Sequence, residues 1–251
     1  SYCYYNMFNG CTSLVTAPEL PATTLASFCY SSMFKGCSKL NKITCLATDI
    51  SAFYCTNSWL SNVSQTGIFI KNPDMTAWTS GASGIPSGWT VKNYVDLTLP
   101  YVTFKAEGDN STIGLTKLST NQTLEYSTDT TNWNTMDTTT TITLTNTGDK
   151  AYIRGILSAD NSNSNYTQFN MTGKIAASGN CNAIWNYQDL NAPLKNYCGY
   201  YMFYKCYSLT TPPILPATEL TVGCYSSMFN GCTSLVTAPS ILPATTLASY
   251  C

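Results

Sequence analysis

The chain contains no histidine. Without an imidazole, neither a Ser-His-Asp triad nor a Cys-His pair can be assembled, and any general base would have to be a carboxylate. Zinc sites completed by histidine are excluded for the same reason. Charge is nearly as scarce, with Asp, Glu, Lys and Arg making up 10% of the residues, where about a quarter is usual. With 12 basic against 13 acidic residues there is no electrostatic footprint for nucleic acid or an anionic membrane surface. No apolar run approaches the roughly 20 residues of a spanning helix, so no membrane insertion is expected. The first residues carry no signal-peptide pattern.

What is present is 44% hydrophobic content, 18 tyrosines, 12 cysteines and many Thr, Ser and Asn residues. The hydrophobic share is that of an ordinary globular protein, and 251 residues suffice for one large domain or two to three small ones. A chain that keeps itself in solution with neutral polar groups is expected to be extracellular and β-rich or fibrous.

One motif organises the sequence. Cys29-Tyr-Ser-Ser-Met-Phe-Lys-Gly-Cys37 with the following Ser-Lys-Leu40 has copies beginning at Cys3, Cys198 and Cys224. Cys3 to Cys29 is 26 residues and Cys198 to Cys224 is 26, while Cys224 to Cys251 is 27 because Ser240-Ile241 replaces the single Glu19. A fixed period of this size marks a repeat array whose units bury their apolar faces against one another. Ser1-Tyr2-Cys3 recurs as Ser249-Tyr250-Cys251 at the same point of the repeat, and each flank holds only about two units where about three are needed. The expectation is one super-repeat of a longer tandem protein.

Within a copy, apolar residues fall at Leu25, Cys29, Tyr30, Met33, Phe34 and Cys37, which reads as one face of a helix of about three turns. Pro21-Ala-Thr-Thr24 supplies start signals and Gly36 a left-handed stop. Leu-Val-Thr-Ala-Pro18 then reads as a short strand ended by proline. A helix plus a short strand per repeat is the leucine-rich-repeat kind of unit.

Met-Phe-x-Gly-Cys-x-x-Leu, followed by a proline-bounded strand and Leu-Pro-Ala-Thr-Thr-Leu, resembles the leucine-rich repeats of BspA-like surface proteins. The likeness covers residues 1 to about 55 and 195 to 251. Lys205 departs from it, standing where the other copies carry glycine, so a non-glycine residue must accept φ > 0 there or the turn is built differently. The resemblance implies a rigid extracellular scaffold for binding and brings no catalytic residues with it.

In chain order, residues 1–55 are two repeat units and 56–94 a solenoid cap with a strand at Ile68-Phe-Ile70. From 95 to 187 the period changes to two. Tyr101–Phe104, Thr112–Leu115, Thr123–Tyr126, Thr141–Leu144, Ala151–Arg154 and Gln168–Met171 alternate as strands between Asp, Asn and Gly turns, the pattern of an immunoglobulin-like β-sandwich. Residues 188–251 form the second array. The expected class is therefore α+β, with 26-residue helix-plus-strand solenoid units flanking a sandwich.

Four cysteine pairs are Cys-x7-Cys, which lacks the short spacing of zinc ligands. Stacked repeats would bring equivalent cysteines close, so disulfides compete with a reduced, buried ladder, and the ladder is preferred because free cysteine is a small core hydrophobe. Asp129, Asp137 and Asp149 are the carboxylates a glycosidase would need, but they read as turn residues. Asp160-Asn-Ser-Asn-Ser-Asn165 alternates oxygen side chains yet lacks the glycine and glutamate of a calcium loop, and reads as a polar hairpin. No cofactor, metal site or catalytic residue is assigned.

Tyr4, Tyr30 and Tyr225 share one repeat position and should form a packed row. The positions read as outward vary between copies: Tyr5, Ser31, Tyr200 and Ser226 at one, Asn9, Lys35, Tyr204 and Asn230 at another. A constant interior with a variable exterior lets a repeat scaffold change ligand without changing fold. Tyr5, Tyr200, Tyr204 and Lys35 are the candidate ligand-binding residues, since a rigid ring buries area at small entropy cost. The functional expectation is a non-enzymatic adhesion or receptor-binding scaffold for a host-cell protein or glycan, on a cell surface or a virion appendage. The alternatives are a structural fibre or phage tail-fibre component that self-associates end to end, and, least favoured, a carbohydrate-active enzyme.

Overall fold

The computed structural model describes residues 1–94, 96–239 and 242–251. Val95, the expected first residue of the sandwich, and Ser240 and Ile241, where the period lengthens, lie outside them. Regular structure among the described residues is almost all β: twelve strands, and one short helix, α1, Asn182–Trp185. The chain divides into two compact units, Ser1–Tyr94 and Val95–Cys251.

The helix expected in each repeat is absent, and its place is taken by a run of turns. Over residues 28–37 the backbone N–H groups alternate in what they reach. Those of Cys29, Ser31, Met33, Lys35 and Cys37 donate three residues back along the chain, as from Met33 to the Tyr30 carbonyl at 3.0 Å. Those of Phe28, Tyr30, Ser32, Phe34 and Gly36 donate instead to the next repeat, as from Tyr30 to Cys55 at 2.8 Å and Phe34 to Trp59 at 3.0 Å. Beyond its first turn an α-helix satisfies its N–H groups within itself; here half are spent on joining repeats along the whole run.

The backbone turns left-handed at every fourth residue, at Phe28 (φ 59°), Ser32 (φ 54°) and Gly36 (φ 77°). Leu25, Cys29, Met33 and Cys37 are likewise four apart, and all are buried. In an α-helix four residues turn through about 400°, so a stripe of exact fours drifts about 40° per step and leaves the buried face. In the four-residue turn it stays there.

Lys205 adopts φ 57°, so the lysine itself takes the left-handed conformation that Gly10, Gly36 and Gly231 hold in the other copies. Replacing it should help. Lys205→Gly is expected to stabilise unit 2 by about 0.5–1 kcal/mol, relief of the left-handed cost being partly offset by a looser unfolded chain. A raised midpoint in chemical denaturation with an unchanged slope is the check.

In the first unit β1 (Lys42–Cys45), β2 (Gly67–Lys71) and β3 (Trp89–Asn93) form a parallel sheet in the order β1-β2-β3, with Lys42 opposite Ile68 and Gly67 opposite Trp89. Thr16 bridges Lys42 and Leu20 bridges Cys45 in the same sense. The expected strand at 68–70 is thus β2, one member of a continuing parallel stack. Of the three tyrosines expected in one row, Tyr4 and Tyr30 lie with their rings 5.9 Å apart in the first unit, whereas Tyr225 belongs to the second, where its ring lies 6.0 Å from Trp185.

The second unit contains β4 (Val102–Ala106), β5 (Ser111–Lys117), β6 (Gln122–Ser127), β7 (Asn134–Met136), β8 (Thr141–Leu144) and β9 (Lys150–Leu157). It continues with β10 (Gln168–Thr172), β11 (Ile175–Ser178), α1 and β12 (Leu209–Thr211). One sheet runs β10-β5-β8 and the other β12-β11-β4-β9-β6-β7, both open. Their inward residues, among them Phe104, Ile113, Leu124, Ile142, Ile153 and Phe169, share one core, an arrangement compatible with a β-sandwich. The order departs from an immunoglobulin domain, where the first strand lies beside the second and the last beside the sixth. Here β4 lies beside β9, and β10 beside β5.

The second repeat array is not a separate body. β12 pairs in parallel with β11, Ile175 opposite Leu209, and Phe169 of β10, Phe203 and Phe229 stack at 5.3 and 5.5 Å. The same core holds the strands and the repeat cysteines.

All of the 12 cysteines are free. Inside the stacks the buried second cysteine of the motif has a backbone partner: Cys37 donates to the Phe8 carbonyl at 3.0 Å, Cys206 to Phe169 at 3.3 Å and Cys232 to Phe203 at 2.9 Å. Burial pushes the Cys45 thiol up to about 12, which keeps it protonated and unreactive.

Candidate functional site

The four-residue turn sorts side chains into two that face the core and two that face away. In the third repeat the inward set is Cys198, Met202, Phe203 and Cys206, all buried. The outward set is Tyr197, Tyr200, Tyr201, Tyr204 and Lys205. Their rings form a continuous row: Tyr197 meets Tyr200 edge-on at 5.6 Å, Tyr200 stacks on Tyr201 at 4.2 Å, and Tyr201 stacks on Tyr204 at 4.6 Å.

A fifth ring comes from the loop between β9 and β10. Tyr166 stands edge-on to Tyr200 at 5.2 Å and to Tyr201 at 5.6 Å. The Lys117 ammonium lies 4.1 Å from the centre of the Tyr166 ring and donates to the Ser164 carbonyl at 2.7 Å. At the far end Lys205 lies 5.1 Å from the Tyr204 ring. All five rings are half-buried, fixed by one another yet still open to solvent. Desolvation first, and the neighbouring phenols next, push the Tyr200 phenol up from its usual range, so it remains a neutral donor and acceptor at physiological pH.

The residues weighed for other chemistry are engaged in holding loops. Both carboxylate oxygens of Asp160 accept from Asn196, one from its N–H at 3.0 Å and one from Nδ2 at 2.9 Å. This pins the loop that carries Tyr166 to the start of the third repeat. Asp129 accepts from the N–H groups of Asn132 and Thr131 and from Ser127 Oγ, Asp137 from Thr139 and Thr140, and Asp149 from the Asn146 N–H. These bonds, led by the Asn132 N–H for Asp129 and the Thr139 hydroxyl for Asp137, hold both carboxyls below the usual range. An acid ionised this firmly cannot serve as a proton donor at neutral pH.

Of the predicted ligand-binding residues, Tyr200 and Tyr204 belong to this row, joined through Tyr201. Tyr5 lies in the other unit, in a separate aromatic strip. There Tyr2 stacks on Phe28 at 4.7 Å, Tyr5 meets Tyr2 edge-on at 5.5 Å, and Phe28 touches Phe53 and Tyr54 at 5.4 and 5.6 Å. Tyr2, Phe28 and Tyr54 hold one left-handed position in three successive repeats. Lys35 is exposed and makes no hydrogen bond or ring contact with Tyr5. Sequence reasoning missed Tyr166, Tyr197, Tyr201 and Lys117; the four-residue spacing of 197, 201 and 205 would have found two of them.

A hollow of about 830 Å³ also opens in the second unit between Asn180, Asp189, Pro193 and Glu219. Among the described residues no aromatic ring lines it. The tyrosine row and the strip around Phe28 do have stacking area to offer.

Comparison with protein-family models, curated proteins and solved structures found no match.

Proposed function

We propose that this chain is a non-enzymatic, extracellular recognition scaffold, displayed on a cell surface or a virion appendage, that binds host glycans through its exposed aromatic rows. The tyrosine row of the third repeat carries this reading. Repeats three and four keep the same interior, Cys198 and Cys224, Met202 and Met228, Phe203 and Phe229, Cys206 and Cys232. Their exteriors differ, with Tyr200, Tyr201 and Tyr204 set against Ser226, Ser227 and Asn230. A scaffold that varies only its outward residues changes its ligand and keeps its stack. Linked rings with phenol edges suit sugars, which offer C–H faces for stacking and hydroxyls for hydrogen bonds.

The stacking of 26-residue units through backbone hydrogen bonds supports a BspA-like leucine-rich-repeat solenoid in which runs of turns stand in for the helix. The low share of charged residues, 10% of the sequence, supports an extracellular location. A structural fibre is the second reading, favoured by repeats that stack through backbone hydrogen bonds such as Tyr30 to Cys55 at 2.8 Å.

Binding to a glycan array and to intact bacterial cells tests the first reading. Saturable binding by the 251-residue protein is expected, and Tyr200→Ala with Tyr204→Ala should weaken it by about tenfold per ring. Neither position is left-handed, so the double variant should keep its fold. Absence of binding, or binding indifferent to both changes, overturns the proposal.

A further inference from the structure

The longer sheet of the second unit has a face turned away from the shared core. Along β9 burial alternates strictly, with Ala151, Ile153, Gly155 and Leu157 inward and Tyr152, Arg154 and Ile156 between them on the other side. Glu125 of β6 stands opposite Arg154 in the antiparallel register. On the other flank Val102 stands opposite Ile153, which brings Tyr101, one residue before β4, alongside Arg154 as well.

The Arg154 guanidinium is held from several sides. Its central carbon lies over the Trp133 ring at 3.9 Å and over the Tyr187 ring at 4.2 Å, and its Nε donates to Glu125 Oε2 at 2.7 Å. Trp133 is fixed in turn, its indole N–H donating to the Thr130 carbonyl at 3.1 Å. Tyr101 continues the aromatic surface, 5.9 Å from Trp133 and 5.1 Å from Tyr152. All four rings are half-buried. One side of the ion pair is unused. Among the described residues Arg154 Nη1 and Nη2 donate to no protein atom and Glu125 Oε1 accepts from none, although the two side chains keep 19% and 36% of their surface exposed.

We propose that this face is a second sugar-binding site, which takes a neutral sugar by a pair of adjacent hydroxyls. One hydroxyl accepts from an Nη of Arg154 and its neighbour donates to Glu125 Oε1, both bonds being strengthened by the charge on the protein group. Trp133 and Tyr101 offer ring surface to the C–H groups of the same sugar. The pair is neutral as a whole. An acidic sugar would set its carboxylate against Glu125, so the site discriminates against it. A guanidinium already fixed by two rings and a carboxylate gives up little freedom when a ligand arrives. The site shares no residue with the tyrosine row and does not depend on it.

The test uses the whole protein carrying Tyr200→Ala and Tyr204→Ala, with the unaltered protein alongside. Neutral trisaccharides of glucose, mannose and galactose are titrated to tens of millimolar and followed by saturation-transfer NMR of the sugar, with trigalacturonate as the acidic counterpart. Saturable binding of a neutral trisaccharide is expected in both proteins, at least about tenfold tighter than that of trigalacturonate. Glu125→Gln keeps an acceptor for Arg154 Nε but turns an amide NH2 toward the ligand where an acceptor stood, and should weaken neutral binding by about tenfold. Arg154→Lys, which keeps the charge and loses the flat fork, should weaken it at least as much, and the unfolding midpoint of each variant shows that it is folded. No neutral binding in the tyrosine-substituted protein, binding unmoved by Glu125→Gln, or a preference for trigalacturonate each overturns the proposal. Binding that falls with Glu125→Gln while the tyrosine changes alone have no effect keeps this site and overturns the tyrosine row.

Discussion

Phe203→Ala should destabilise the strands of the second unit as severely as its repeats, although Phe203 lies in the repeats. The ring is fully buried, stacked between Phe169 of β10 and Phe229, and 6.3 Å from Phe104 of β4. It therefore touches both sheets and the following repeat at once. Truncation removes a large apolar side chain and leaves a cavity that rigid sheets on two sides cannot close, at a cost of about 3–5 kcal/mol. Hydrogen exchange resolved by segment is the measurement. Amides of β5 and β8 should lose protection in step with those around 201–205. Full protection in β5 and β8, with loss confined to the repeats, would show that the strands fold as a body of their own. Phe203→Leu, which keeps most of the volume, should cost no more than about 1.5 kcal/mol and locate the effect in the ring.

That coupling follows from how the array is attached, which could not be read before the structure. Strands carrying two-residue alternation were legible: Thr141–Leu144 is β8, and Thr123–Tyr126 lies within β6. The three-residue edge strand β7, Asn-Thr-Met, has too little β-branched or aromatic character to announce itself. Pairing is a non-local property, and nothing near Leu209 marks it as the partner of Ile175. The exchange of places between β4 and β10 is invisible for the same reason. The repeat period was plain, because twenty-six residues separate identical motifs.

The helix was misread because spacings of 4, 1, 3, 1 and 3 fit a period of 3.6 and a period of 4 equally well over so short a stretch. Only the strict series 25, 29, 33, 37 separates the two, since a helix would carry the fourth member about 120° off the stripe. A second signal was hidden by chemistry. Gly36 and Asn6 favour the left-handed region, but Tyr2, Phe28, Tyr54 and Tyr201 also occupy it, against a cost of about 1–2 kcal/mol each. The bonds that offset that cost reach a repeat 25 residues away, as from Tyr201 to Ser226, where local propensity has no view.

The site was half legible on the same grounds. Tyr200 and Tyr204 were found as variable outward positions. Under a helical reading Tyr201 was not grouped with them; under the four-residue turn it is the next outward residue. Tyr166 lies 35 residues before Tyr201 in sequence and reaches the row on a loop held by long-range bonds, between Asp160 and Asn196 and from Lys117 to Ser164.

In the first unit the largest effect is expected from Trp59→Ala. Trp59 is fully buried at the position held by Met7 and Met33 in the two repeats before it. One face of the indole lies parallel to Tyr30 at 6.1 Å and the other to Trp78 at 5.5 Å, with Phe69 of β2 edge-on at 6.0 Å. Its N–H donates to the Gly84 carbonyl at 2.9 Å. Removing it opens a void between the regular repeats and the segment that carries β2 and β3, and strips a buried carbonyl of its donor. The expected loss is about 3–5 kcal/mol for the void, a large part of the total stability of a unit this size. Trp59→Phe keeps a stacking ring and loses the hydrogen bond, and should cost about 1–2 kcal/mol. If the aromatic stack is what carries order from one repeat to the next, Trp59→Ala should deprotect the amides of Phe28 and Tyr30 as well as those of β2, because the carbonyls they bond to sit on the strand of chain that Trp59 anchors. The aromatic strip of exposed Tyr2 and Tyr54 and half-buried Phe28 would then lose its fixed geometry without any change to its own residues. Unchanged protection at Phe28 would mean that backbone bonds alone hold the repeats in register.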